Sequence, residues 1–217
     1  MKKFFIGKTE YNVPTSWMDI NLKKFLEIRD HEAKVNEMNL LDYNMEFLSI
    51  VTEIDREELD SLTPDEYEGI LKELLAVTKD DILPIEHPIF EICGDMYVMD
   101  SDFKNMPIAQ FIDLDHITSE SVWDNAHKLT ASFIRRADIS NFDRLILNGK
   151  KKLGKQIKCS DYKVQKYSYD KLLKTADLFY TELPMPYIYT CIIFFLTFEQ
   201  ILQKNMKDSS QIMEEEK

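Results

Sequence analysis

Glycine and proline are scarce, five and seven in 217 residues, which excludes a collagenous or low-complexity chain over most of the length. Cysteine is scarcer. Cys93, Cys159 and Cys191 are odd in number, far apart and in no metal-ligand spacing, so they suit a reducing cytoplasm better than a disulfide scaffold or a zinc site. Long apolar runs are missing as well. The longest, Tyr187 to Phe198, holds twelve residues including Thr190 and Thr197, against roughly 20 for a membrane-spanning helix. The opening Met-Lys-Lys-Phe-Phe-Ile is cut short by Gly7, Lys8 and Glu10 before it reaches the length of a signal-peptide core. Basic charge is in deficit, 27 Lys and Arg against 39 Asp and Glu, and the net charge of −12 repels phosphate backbones at long range.

What is present is enough apolar surface for a core: 44% of the residues are hydrophobic. The pattern is mainly helical with two small hairpins, an α+β chain with a helical bundle-like core. Lys3 to Ile6 and Glu10 to Val13 read as strands turned at Gly7-Lys8-Thr9; Ile89 to Cys93 and Met96 to Met99 read as a second hairpin around Gly94-Asp95. Asn21 is placed to cap a helix with the stripe Leu22, Phe25, Leu26, Ile28. Leu40 to Val51 carries apolar residues at helical spacing. Asp55-Arg-Glu-Glu58 has the form of a capping box, and Thr63-Pro64-Asp65-Glu66 adds proline at the first helical position.

Ser119 or Ser121 is placed to start a long helix through Trp123, Ala126, His127, Thr130, Phe133 and Ile134, with Arg135 and Arg136 near its carbonyl end. Lys171 to Tyr180 and Tyr187 to Lys204 read as two more helices. No linker interrupts residues 1–207, which are expected to form one globular domain with two loosely related halves, about 1–85 and 86–207. Residues 208–217 read as a polar, flexible tail.

Nine lysines crowd residues 148–174 against Asp161 and Asp170, so this segment is +7 and the remainder −19. Lys150, Lys151, Lys152, Lys155 and Lys158 form its basic patch. Gly149 to Lys155 follows a phosphate-binding loop up to the last position, where Gln156 replaces the magnesium-binding Ser or Thr, and no second metal ligand follows. A solvated basic loop accounts for it. Tyr162, Tyr167 and Tyr169 interleave with the lysines as on a surface that stacks bases and holds phosphates. The alternative occupant is an acidic protein surface, favoured by the −19 of the rest of the chain.

No nucleophile elbow, dinucleotide-binding glycine triplet or paired nucleophilic Cys occurs, so no enzyme, cofactor or metal is expected. The nearest approach to a metal cluster is Asp113, Asp115, His116, Asp124 and His127, a spacing ordinary for a helix surface. The run Glu53 to Glu68 sets eight carboxylates against Arg56 and reads as a solvated helix face before it reads as a polyanion mimic. The apolar run Tyr187 to Phe198 must be covered, as a buried helix or by a partner; the candidate partner-binding residues are Tyr187, Ile188, Ile192, Phe195 and Phe198.

Tyr11-Asn-Val-Pro-Thr-Ser-Trp-Met-Asp-Ile-Asn-Leu-Lys-Lys-Phe25 and Phe47-Leu-Ser-Ile-Val-Thr-Glu-Ile-Asp55 resemble the small tail and baseplate assembly proteins of tailed bacteriophages. Phe90-Glu-Ile-Cys-Gly-Asp-Met-Tyr97, Phe111-Ile-Asp-Leu-Asp115 and the helix holding Ala126 to Ile134 look like the same group. The resemblance covers about two-thirds of the chain and rests on hydrophobic patterns. It implies a virion component or assembly chaperone made in the host cytoplasm, with other phage structural proteins, or copies of itself, as partners. The lysine segment and the Tyr187 to Phe198 run have no counterpart in that group. The rival reading is a nucleic-acid-associated protein using the lysine segment.

Overall fold

The computed structural model describes residues 1–86, 89–99, 106–119, 121–138 and 163–215, with the backbone alone for 201–215. It is an α+β chain whose contacts gather into two compact units: Met1–Leu83 with Asp170–Pro186, and Pro84–Tyr169 with Tyr187–Lys217. Residues 170–186, which chain order assigns to the second half, therefore lie with the first.

The first unit opens on an antiparallel hairpin, β1 (Lys2–Ile6) and β2 (Thr9–Val13), with Ile6 opposite Thr9. Gly7 adopts φ +58° at the first of the two loop positions, a conformation that glycine takes without a Cβ penalty. Helix α1 (Leu22–Glu32) follows. The Asn21 side chain accepts from the Lys24 amide at 2.9 Å and satisfies one of its free N–H groups. Helix α2 (Leu40–Thr52) starts the same way, the Asn39 side chain accepting from the Asp42 amide at 3.0 Å. His31 of α1 is buried against α2, its ring stacked on Tyr43 at 4.3 Å and its Nε2 2.9 Å from the Tyr43 carbonyl. Leu40 and Leu41, placed on the core stripe by spacing, are exposed in the first turn of α2.

Helix α3 (Arg56–Leu59) is a single turn, and the expected capping box does not close: Asp55 makes no side-chain cap bond. The Glu58 carboxylate, which such a box needs, instead accepts from the Tyr11 hydroxyl on β2. Helix α4 (Pro64–Lys79) has the full box, Thr63 and Glu66 exchanging side-chain and backbone hydrogen bonds with Pro64 at the first position. It buries Ile70, Leu74 and Val77. Helix α7 (Tyr169–Glu182) adds Leu172, Ala176 and Phe179 to the buried set, and the Met185 amide donates to the Ile20 carbonyl at 2.8 Å, fixing the return of the chain to this unit.

The second unit is built on a four-stranded antiparallel sheet in the order β3 (Ile89–Ile92), β4 (Asp95–Met99), β5 (Ile134–Asp138), β6 (Lys163–Val164). The β3–β4 turn lies at Cys93 and Gly94, both at positive φ, with Ile92 opposite Asp95. It sits one residue earlier than the sequence suggests. Ile89, Val98 and Ala137 form a core on one face, with Met96 and Val164 against it. Phe90 and Tyr97 stack across strands on the other face, and Tyr187 packs on Phe90 with ring centroids 4.4 Å apart.

The long helix expected through Ile134 does not form. Residues 122–125 form turns, α6 spans only Ala126–Phe133, and the chain passes directly into β5. Pairing with β4 decides this: Arg135 lies opposite Val98 and is buried, while Arg136 lies opposite Tyr97 and reaches Asp95 at 2.6 Å. The two arginines therefore point to opposite faces of a sheet, as the period of a strand requires. The last helix, α8 (Met185–Glu215), is continuous across the expected tail boundary at Asp208. No glycine or proline occurs after Pro186, and Gln, Lys, Met and Glu are good helix formers.

Candidate functional site

The five residues singled out on α8 face into the chain's own core. Ile188, Ile192 and Phe195 are buried, and Tyr187 and Phe198 are half-buried. The neighbours that bury this helix include Phe133, edge-on to Phe194 with ring centroids 5.4 Å apart, and Phe90 beneath Tyr187. Thr190 receives the Ile85 amide at 2.8 Å. Cys191 is buried beside Thr130, and its burial pushes the thiol up to about 12, so it is held protonated and unreactive near neutrality. Of the two coverings open to the Tyr187 to Phe198 run, this chain uses the internal one. Only Ile193 and Leu196 remain as exposed large apolar residues on this stretch.

The basic patch Lys150, Lys151, Lys152, Lys155 and Lys158, and the loop from Gly149 to Gln156 that contains most of it, lie outside the described residues. Of the interleaved tyrosines, Tyr167 is committed elsewhere. Its hydroxyl donates to the Asp113 carboxylate, and its ring lies under the Arg135 guanidinium at 4.9 Å. Burial first, and the hydrogen bond to Asp113 second, push this phenol well above its usual range. Tyr169 stays exposed.

Asp113, Asp115, His116, Asp124 and His127 are not brought together. Asp113 serves Tyr167, Asp115 and His116 are exposed on α5 (Ile108–Thr118), and among the described residues no group of three His, Cys, Asp or Glu is placed to hold a metal. In the acidic run, Glu53 pairs with Lys24 at 2.7 Å, Glu58 accepts from Tyr11 and Glu66 closes the α4 cap. These contacts agree with a solvated, internally used helix face. Among the described residues no helix is long and apolar enough to cross a membrane.

Helix α5 presents a surface that periodicity alone does not single out. The inner side of this helix is polar in part: Gln110 donates to the Ser132 carbonyl at 2.8 Å and accepts from Arg135 at 2.5 Å, with Leu114 and Ile117 buried beside it. The outer side is the more apolar in the first turns. Ile108 is 75% exposed, Ile112 51% and Phe111 41%. Positions i, i+3 and i+4 share one helix face, so the three form one patch, bounded toward the carboxyl end by exposed Asp115 and His116. A surplus of apolar residues around both sides of Ile108 to Ile117 is the sequence signal for it.

Two features distinguish this patch from scattered exposed hydrophobics. It is presented on a helix pinned from behind by the Gln110–Arg135 and Asp113–Tyr167 contacts, and it contains an aromatic residue with two branched neighbours, the kind of anchor that interfaces use. Chemically it can bury apolar area against a partner; it offers no nucleophile or base. Comparison with family models, with curated proteins and with solved structures finds no match.

Proposed function

We propose that the chain is a structural or assembly protein of a tailed-bacteriophage virion, a tail or baseplate component or an assembly chaperone, that works through protein–protein contacts and not as an enzyme. The observation that carries this reading is the exposed Ile108, Phe111 and Ile112 face on α5. Leaving three large apolar side chains in water costs solubility, and a patch of this kind is retained where a partner covers it. The resemblance of Tyr11 to Phe25 and of Phe90 to Tyr97 to phage tail and baseplate assembly proteins supplies the class of partner. We read α1, α2, α4 and α7 as the bundle-like core that supports the first unit, and the host cytoplasm as the place of assembly.

The test is affinity capture of the full chain from phage-infected cells, with mass spectrometry of what is bound, for the wild type and for Ile112→Lys and Phe111→Ser. Both substitutions are at exposed positions, and circular dichroism of each variant checks that the fold is retained. The wild type is expected to retain virion structural proteins. Loss of an interface anchor typically costs about 2 kcal/mol or more, roughly 30-fold in affinity, so each variant releases them. A wild type that retains none, or variants that retain as much as the wild type, would overturn the reading.

A further inference from the structure

Helix α4 turns Ile70, Leu74 and Val77 to the core of the first unit, yet its opposite side is not simply charged. It carries a groove of about 500 Å³ lined by Glu68, Leu71, Lys72, Leu75, Ala76 and Lys79. Leu71 and Leu75 are half-buried there, and Glu68, Lys72, Ala76 and Lys79 are exposed. The order along the helix is the informative part: a carboxylate at the start of the groove, Leu71, Leu75 and Ala76 with the stem of Lys72 in the middle, an ammonium group at its end.

A surface of this kind is complementary to itself under a two-fold rotation. When a second α4 runs antiparallel across the groove, with the axis between positions 73 and 74, Glu68 faces the second copy's Lys79, Lys79 faces its Glu68, and Leu71 lies against its Ala76. Lys72 lays its stem over the second copy's Leu75. A parallel arrangement would set Glu68 against Glu68 and Lys79 against Lys79. We infer that the outer face of α4 is a homodimer contact in which two copies of this chain pack α4 antiparallel. The two ion pairs fix direction and register, and the leucines supply the apolar contact. This inference does not depend on the virion reading or on the α5 face.

The contact is modest in size. A helix of sixteen residues is about 24 Å long, and a single helix pair falls near or below the roughly 1,200 Å² of stable complexes, so the dimer exchanges with monomer at micromolar concentrations. Sedimentation velocity of the full chain over about 1 to 500 μM tests it. The wild type is expected to shift from monomer to dimer across that range, less so in high salt. Glu68→Lys alone, and Lys79→Glu alone, each bring like charges together and stay monomeric. Mixed one to one, the two variants recover the dimer, since each then meets its opposite. The double variant Glu68→Lys with Lys79→Glu also recovers it, and this recovery separates a lost contact from a lost fold. A wild type that is monomeric throughout, single variants that dimerise as the wild type does, or a mixture that stays monomeric would each overturn the inference.

Discussion

The Asn21 side-chain amide donates to the carbonyl of Thr181, 160 positions later in the chain, while its oxygen accepts from the Lys24 amide. One side chain thus caps α1 and holds the end of α7 beside it. A backbone bridge between Asn21 and Pro184 and the Met185 to Ile20 hydrogen bond lie at the same place.

Asn21→Ala removes both bonds. The cap is worth about 1 kcal/mol and the bond to Thr181 a similar amount, so a loss of roughly 2 kcal/mol in urea unfolding is expected. Asn21→Asp keeps the acceptor for Lys24 and loses only the donor, and should cost about half as much. Equal losses for the two variants would mean that the cap bond to Lys24 contributes nothing, and an Asn21→Asp variant as stable as the wild type would mean that the bond to Thr181 contributes nothing.

Much of the local structure is legible in the sequence because its causes are local. The caps at Asn21 and Thr63 and both hairpins are read from adjacent residues. Strand β5 was not legible: Ile134-Arg-Arg-Ala-Asp fits the end of a helix as well as it fits a strand, and only β4, more than thirty residues earlier, decides between them. The failed box at Asp55 has the same origin, since Tyr11 on β2 takes the carboxylate of Glu58. Helix α7 lies with the first unit, where its last turn meets Asn21, and no pattern within 170–186 announces it. For the candidate site the limit is orientation. Periodicity marks α5 as helical but does not say that Gln110 turns inward to Arg135 while Ile108 and Ile112 turn out.

Four described carboxylates should govern the response to acid: Asp19, whose burial is outweighed by hydrogen bonds from Thr15 and from the N-terminal ammonium group, and three others. Hydrogen bonds from the Thr63 hydroxyl and backbone hold Glu66 below the usual range, a hydrogen bond from Arg56 and then one from Asn39 do so for Asp42, and a hydrogen bond from Lys24 does so for Glu53. A carboxylate whose folded pKa is depressed adds stability that is fully present above its unfolded value, about 4, and that disappears as pH falls through the folded value. Melting temperature should therefore be insensitive to these groups from pH 7 to 5 and fall below pH 4. In Glu66→Gln the charge is absent at every pH. Its difference from the wild type should be present at pH 6 and shrink as pH falls through the lowered value of Glu66; a constant difference would show that the charge of Glu66 is not what matters.

Gly69 sits inside α4 with negative φ, exposed, and a Cβ built there meets nothing within 4 Å. The folded chain has no need of glycine at this position, so Gly69→Ala should restrict the unfolded chain and favour the helix. The expected gain is about 0.5–1 kcal/mol, seen as a higher urea midpoint with an unchanged slope. A loss would reveal a contact on this side of α4 that the Cβ disturbs.

On α8 the buried and exposed apolar residues alternate closely enough to separate two roles for one helix. Phe195 is 4% exposed and Ile193 is 37% exposed. If the run from Tyr187 to Phe198 serves the chain's own core, Phe195→Ala should cost about 3–5 kcal/mol through lost contacts and the cavity left behind, and Ile193→Ala should stay within about 0.5 kcal/mol. A helix held in reserve for a partner gives the reverse pattern, with Phe195→Ala mild in stability and severe in binding. Chemical unfolding of the two variants, read beside their capture of partners, separates the cases. Cys191, buried one turn before Phe195, adds an independent check. Its thiol should resist modification by a neutral maleimide until the chain unfolds, whereas Cys93, exposed in the β3–β4 turn, should react at once.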